Sequence, residues 1–152
     1  MATSEFEQYF GHFNPEEATD IADRWFNSPT YVQLPEVELQ RVKALSERTG
    51  DVKVFVEQTT NSVDELVKAN KQFDALDLID QRLKEAETVF GGDDLLTARR
   101  YTFYRRGFVQ EHLATYGLYS NLPLGDPMRT ACFFSAARDY MLADLEFGCV
   151  SD

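Results

Sequence analysis

Residues 95–110 hold four arginines, Arg99, Arg100, Arg105 and Arg106, and no acid. The chain around them is acidic: 152 residues carry 26 Asp plus Glu against 15 Lys plus Arg, a formal net charge of −11. A guanidinium fork binds a carboxylate or a phosphate through two parallel hydrogen bonds. Tyr101, Tyr104, Phe108, His112 and Tyr116 interleave with the arginines, and aromatic rings offer a flat apolar wall. The seven-residue step from Arg99 to Arg106 puts both on one face of a helix, with Thr102 and Phe103 between them. These residue types suit a planar ligand that carries carboxylates. They suit equally well ion pairs with acids of neighbouring helices, such as Asp74, Asp77 and Asp80, or of another subunit. Contact with RNA or DNA is a third use of the same charges.

Other groups with chemical potential are sparse. His112 stands among aromatic residues, where an imidazole can ligate haem iron, so a haem-binding globin is one alternative. An ordinary hydrogen-bonded histidine explains it as simply. Asp74, Asp77 and Asp80 step by three along one helical face. Neighbouring carboxylates can do acid–base chemistry, and they also make an ordinary solvated surface. With His12 and His112 as the histidines and no Cys-x-x-Cys, no metal site is expected. Cys132 and Cys149 read as two reduced thiols. No Gly-rich phosphate loop or nucleophile motif occurs, so no enzymatic activity is expected. An acidic helical protein-interaction or inhibitor module, in one form a mimic of nucleic acid, is a further alternative. Lysines and arginines interrupt its acids, which blurs any phosphate-like spacing.

The elements that position these residues read as helices throughout. Asn14-Pro15-Glu16-Glu17 supplies a cap, a first-turn proline and two acids at the positive helix end. Ala18, Ile21, Ala22, Trp25 and Phe26 then share a face, and Ser28-Pro29 ends it. A second start follows at Pro35, and Gly50 breaks or bends that helix. Val52 to Val56 alternates like a strand. The wider series Val52, Val56, Thr59, Val63, Leu66, Asn70 and Phe73 steps by four and three, which predicts one helical stripe of about six turns. Leu76, Ile79, Leu83, Ala86 and Phe90 continue the spacing until Gly91-Gly92 ends it. Asp93-Asp94 can cap the long helix that carries the arginines to about Tyr119. Asp126-Pro127 opens a last helix to about Phe147. The expectation is six or seven helices in one all-α domain over residues 1–152.

Several of these stretches resemble the β-type subunits of phycobiliproteins. Gly91-Gly92-Asp93-Asp94-Leu95-Leu96-Thr97-Ala98-Arg99-Arg100-Tyr101 is similar to the run that leads into that family's bilin-attachment helix. Ala114-Thr115-Tyr116, one residue out of step, resembles its Ala-Thr-Tyr segment. Cys132-Phe133-Phe134-Ser135-Ala136-Ala137-Arg138-Asp139-Tyr140 resembles its next helix, with a Cys and a Tyr eight residues apart. Upstream, Gly50-Asp51-Val52-Lys53-Val54 is similar to a Gly-Glu-Leu-Arg-Val run, and Leu66-Val67-Lys68 falls near an Ile-Val-Lys. The likeness spans roughly residues 34–140 and lies in the order of the matches.

The resemblance implies a globin-like core over about 31–148, preceded by an N-terminal helical extension over 1–30. It also implies a linear tetrapyrrole, a bilin, as cofactor. The family's attachment Cys and its pyrrole-binding Asp fall at Tyr104 and Gly107, while its propionate-binding Arg falls at Arg106. A phenol cannot form the thioether, so binding would be non-covalent. In that reading Arg99, Arg100 and Arg106 hold propionates, and Tyr101, Phe103, Tyr104 and Phe108 contact the tetrapyrrole plane. A colourless relative used in bilin handling or assembly is equally compatible. The family pairs subunits through its N-terminal helices, which makes Phe10, Trp25 and Phe26 candidates for homo- or hetero-oligomer contacts. Ordinary core packing would serve those three residues as well.

Composition bounds the remainder. A hydrophobic content of 43% with 13% aromatics argues against disorder. At this length a chain buries roughly 70% of its unfolded surface and needs no disulfide or metal. The acidic balance disfavours nucleic acid and anionic membranes as partners. Neither a secretory leader nor an apolar stretch of ~18 residues is present, so a cytoplasmic protein without membrane insertion is expected.

Overall fold

The computed structural model describes residues 50–123 and 125–143, with residues 20, 23–29, 31–33, 36, 39, 40 and 43 before them. From residue 51 on, four helices follow one another: α1 (Asp51–Lys68), α2 (Gln72–Val89), α3 (Gly92–Thr115) and α4 (Pro127–Met141). The fold is all-α, and no strand occurs among the described residues.

The Val52–Val56 stretch is helical because its buried face follows the helical period. Val52, Phe55, Val56, Thr59, Val63 and Val67 all turn inward. The six-turn stripe predicted over residues 52–73 is, however, split between two helices. Asn70 takes a left-handed conformation with φ 61°, which a short amide side chain tolerates better than most. The Lys71 N–H donates to the Leu66 carbonyl at 2.8 Å and the Asn70 N–H to the Val67 carbonyl at 3.0 Å. This pair of bonds closes α1 by satisfying its last carbonyls and turns the chain into α2.

The Gly91-Gly92 break falls where the sequence put it, with Gly92 at φ 57°. Gly91, and not an aspartate, is the N-cap of α3, and Asp93 and Asp94 lie in its first turn. There they still favour the positive end of the helix dipole. α3 ends at Thr115, short of the expected Tyr119. The chain folds tightly at Gly117, where a Cβ would meet Gln72 Nε2 and Leu113 Cα, each at 3.0 Å. Asp126 caps α4 as expected, its carboxylate accepting the Met128 N–H at 2.9 Å, with Pro127 in the first turn.

α3 is the central element. Thr97, Ala98, Tyr101, Thr102, Phe103, Gly107, Val109, Gln110, Leu113 and Ala114 are buried around its circumference, and it packs against each of the other three helices. One apolar cluster joins Val63, Val67, Leu76, Ile79, Val109, Leu113 and Cys132. A second joins Val52, Phe55, Val56, Ala86, Ala98 and Tyr101. Where α3 meets α4, Gly107 lets the Tyr140 ring lie against the α3 backbone, since a Cβ there would fall 2.8 Å from the ring.

Candidate functional site

Among the described residues, each ion pair of Arg99, Arg105 and Arg106 meets an acid from another helix. Arg99 reaches Glu87 of α2 at 3.2 Å. Arg105 reaches Asp64 of α1 at 3.2 Å and lies over the Phe108 ring at 5.2 Å. Arg106 makes the strongest arrangement. Its Nε and second terminal nitrogen donate to the two oxygens of Asp139 in α4 at 2.9 and 3.0 Å, and its other terminal nitrogen donates to Asp80 in α2 at 3.1 Å. Asp139 is fully buried. Its carboxylate also accepts a short hydrogen bond from Gln110 Nε2, which in turn donates to the Arg106 carbonyl at 3.1 Å. Burial works against the Arg106 charge, but the hydrogen bond and charge of Asp139, with Asp80 behind them, outweigh it and raise the guanidinium above its ordinary pKa. Arg100 is half-buried.

Of the acids expected as partners, Asp80 pairs with Arg106; Asp74 and Asp77 lie at exposed positions of α2. The partners Asp64, Glu87 and Asp139 escaped sequence reasoning. They lie 41, 12 and 33 residues from their arginines, and no helical spacing spans such intervals.

The aromatic candidates disperse among the apolar clusters. Tyr101 is buried against α1 and α2. Phe103 is buried beside Ala143, with the Arg99 and Arg106 guanidiniums 5.8 and 5.0 Å from its ring centre. Tyr104 packs on Tyr140 at 5.4 Å, and Phe108 packs on the cluster around Leu113. The structure thus brings Arg99, Phe103 and Arg106 together on one face of α3, packs Tyr104 against the same small cluster as Phe103, and sends Tyr101 and Phe108 to separate neighbours.

A second polar constellation has no counterpart in the sequence reading. The two oxygens of Glu111 each accept a phenol hydroxyl at 2.8 Å, one from Tyr31 and one from Tyr140. Burial first, then Glu111, pushes both phenols above their ordinary pKa, so each stays a donor. Trp25 stacks on Tyr140 at 6.2 Å and meets Tyr31 edge-on at 6.4 Å. Phe26 packs edge-on against Phe133 at 5.4 Å. Trp25 and Phe26 therefore contribute to packing within the chain. Phe10 lies outside the described residues.

His112 sits between the rings of Phe108 and Tyr116, at 6.0 and 5.4 Å, with its Nδ1 3.3 Å from Gln72 Nε2. Burial lowers its pKa. Among the described residues no cluster of three or more His, Cys, Asp or Glu is arranged to hold a metal. Cys132 is fully buried, and burial pushes its thiol up to about 12, far from the thiolate that redox or nucleophilic chemistry needs. Cys149 and His12 lie outside the described residues. No described helix is long and apolar enough to cross a membrane. No protein-family model, curated protein or solved structure matches the chain.

Proposed function

We propose that the chain is a non-catalytic helical module that binds another protein. The observation that carries this reading is the apolar end of the α3–α4 connection. Tyr116 is 76% exposed, Leu118 64% and Met128 40%. Arg129 ties the first turn of α4 to the Ala114 carbonyl at 2.9 Å and to the Leu122 carbonyl at 3.0 Å, so the backbone around these side chains is held in place. Val32, Leu39, Val54, Val89 and Leu96 are also exposed, at positions spread along the chain, as single apolar side chains on any surface are. A group of large apolar side chains along one ordered connection is instead typical of a contact surface. Meanwhile Arg99, Arg105 and Arg106 hold carboxylates of the same chain. Affinity capture from the source cells, with the intact chain and with a Tyr116→Ser, Leu118→Ser variant, tests the reading. A protein should be retained by the intact chain and lost from the variant at unchanged helical circular dichroism. Equal retention by both would overturn it.

A second reading, non-covalent binding of a linear tetrapyrrole by a globin-like core, is favoured by the Arg99–Phe103–Arg106 grouping. Two guanidiniums flanking one aromatic ring could receive propionates beside a flat apolar group. Arg106 would have to trade the buried Asp139, and Arg99 the exposed Glu87, for the ligand, and the exchange at Arg99 is the less costly. Titration with biliverdin should then give a saturable absorbance shift that weakens in Arg99→Ala. An unchanged spectrum rejects this reading.

A further inference from the structure

The Glu111 clamp joins the segment before α1 to the four-helix bundle. Among the described residues, the two main apolar clusters draw on residues 52–133 and include no side chain from before α1. Trp25, Phe26 and Tyr31 touch the bundle through a different cluster, in which Trp25 lies with Ala136, Ala137 and Tyr140, and Phe26, Tyr31, Tyr104 and Met141 pack around them. Among the described residues, one side-chain hydrogen bond anchors this segment to the bundle, from Tyr31 to Glu111.

We propose that residues 23–29 and Tyr31 belong to a strap that lifts from α3 and α4 as a unit while the four-helix bundle stays folded. Three features make the contact separable. Glu111 keeps the Tyr140 hydroxyl on its other oxygen when Tyr31 leaves, so the carboxylate is not orphaned. Tyr140 also lies against the α3 backbone in the room that Gly107 leaves, a contact that involves no strap residue. The Trp25 indole N–H is buried without an acceptor, so lifting returns that donor to water and offsets part of the lost apolar contact. Local opening of one cooperative unit ahead of global unfolding is general protein behaviour. Here it uncovers an apolar strip made of Tyr104, Ala136, Ala137 and Tyr140. The proposal is independent of the Tyr116–Leu118 surface.

Trp25 is the sole tryptophan and sits in the strap, so its fluorescence reports the strap alone. In a urea titration of the intact chain, the Trp25 emission should shift to the red at lower urea than the loss of helical circular dichroism. Tyr31→Phe removes the anchoring hydroxyl and keeps the ring. It should move the fluorescence midpoint further down and leave the circular dichroism midpoint in place. Hydrogen exchange of the wild-type chain supplies a second measurement. Amides of residues 25–33 should exchange at least tenfold faster than the interior amides of α3 and α4. Coincident fluorescence and circular dichroism transitions, or strap amides that exchange together with α3, would overturn the proposal.

Discussion

Arg106 is the residue on which the interior electrostatics turn. Asp139 is 0% exposed and depends on Arg106 and Gln110 for compensation. Removing one partner of a buried pair leaves a charge without solvation, at a cost of about 3–5 kcal/mol. Arg106→Ala should lower the urea midpoint by a corresponding amount, and Arg106→Lys by less, since an ammonium keeps the charge but not the two-pronged geometry. The exposed pairs differ: Glu87→Ala, which removes the carboxylate 3.2 Å from Arg99, should cost no more than about 0.2–1 kcal/mol in the same assay. His112 gives a pH signature. Its pKa is lower in the fold than in the unfolded chain, so the unfolded state binds the proton more tightly. Its contribution to stability is therefore complete above the ordinary histidine value of about 6.5 and is lost as pH falls through the lowered value. Stability measured between pH 7.5 and 5 should decline for the wild type, and less steeply for His112→Gln.

At the scale of elements, the crossing of α3 and α4 depends on Gly107. An alanine there gains intrinsic helix propensity of up to about 1 kcal/mol. Its methyl would fall 2.8 Å from two carbons of the Tyr140 ring and 3.2 Å from the Ala136 carbonyl. Overpacking of this kind costs about 1–3 kcal/mol, and the backbone carbonyl cannot yield as a flexible side chain would. Gly107→Ala should therefore lower Tm, against its propensity, and should also disturb Trp25 emission because the Tyr140 ring supports the indole. Much of the helix plan was legible in the sequence. Gly91-Gly92 and Asp126-Pro127 mark real boundaries because their backbone requirements are local. The turn at residues 69–71 was not legible, because Val67, Asn70 and Phe73 keep the four-and-three rhythm across it. Only the docking of α2 back on α1 selects the left-handed Asn70.

Across the whole molecule the charge is unevenly placed. Residues 50–143 carry 14 acids and 11 Lys plus Arg, so −3 of the net −11 resides there. The larger part belongs to the residues on either side. The four arginines of α3 nearly balance the helical bundle internally, while the flanking acidity adds like-charge repulsion. Such repulsion is screened over a Debye length that falls from about 30 Å at 0.01 M salt to about 8 Å at 0.15 M. Raising NaCl over that range should raise Tm modestly, since the buried Arg106–Asp139 pair is screened far less than the flanking acids. A fall in Tm would mean that exposed pairs such as Arg99–Glu87 contribute more than repulsion does.

The all-α class and the arginine-bearing central helix follow from the sequence alone, because periodicity, glycine breaks and caps act within a few residues of one another. The use of that helix was a matter for tertiary structure. Side chains of identical type, Arg99 and Arg106, differ in environment because acids 12 and 33 residues away approach them from other helices. The Tyr31–Glu111–Tyr140 clamp is likewise assembled from positions 80 and 29 residues apart. Hydrogen bonds and ion pairs act over a few ångströms of space, and only the folded chain decides which distant residues share that space.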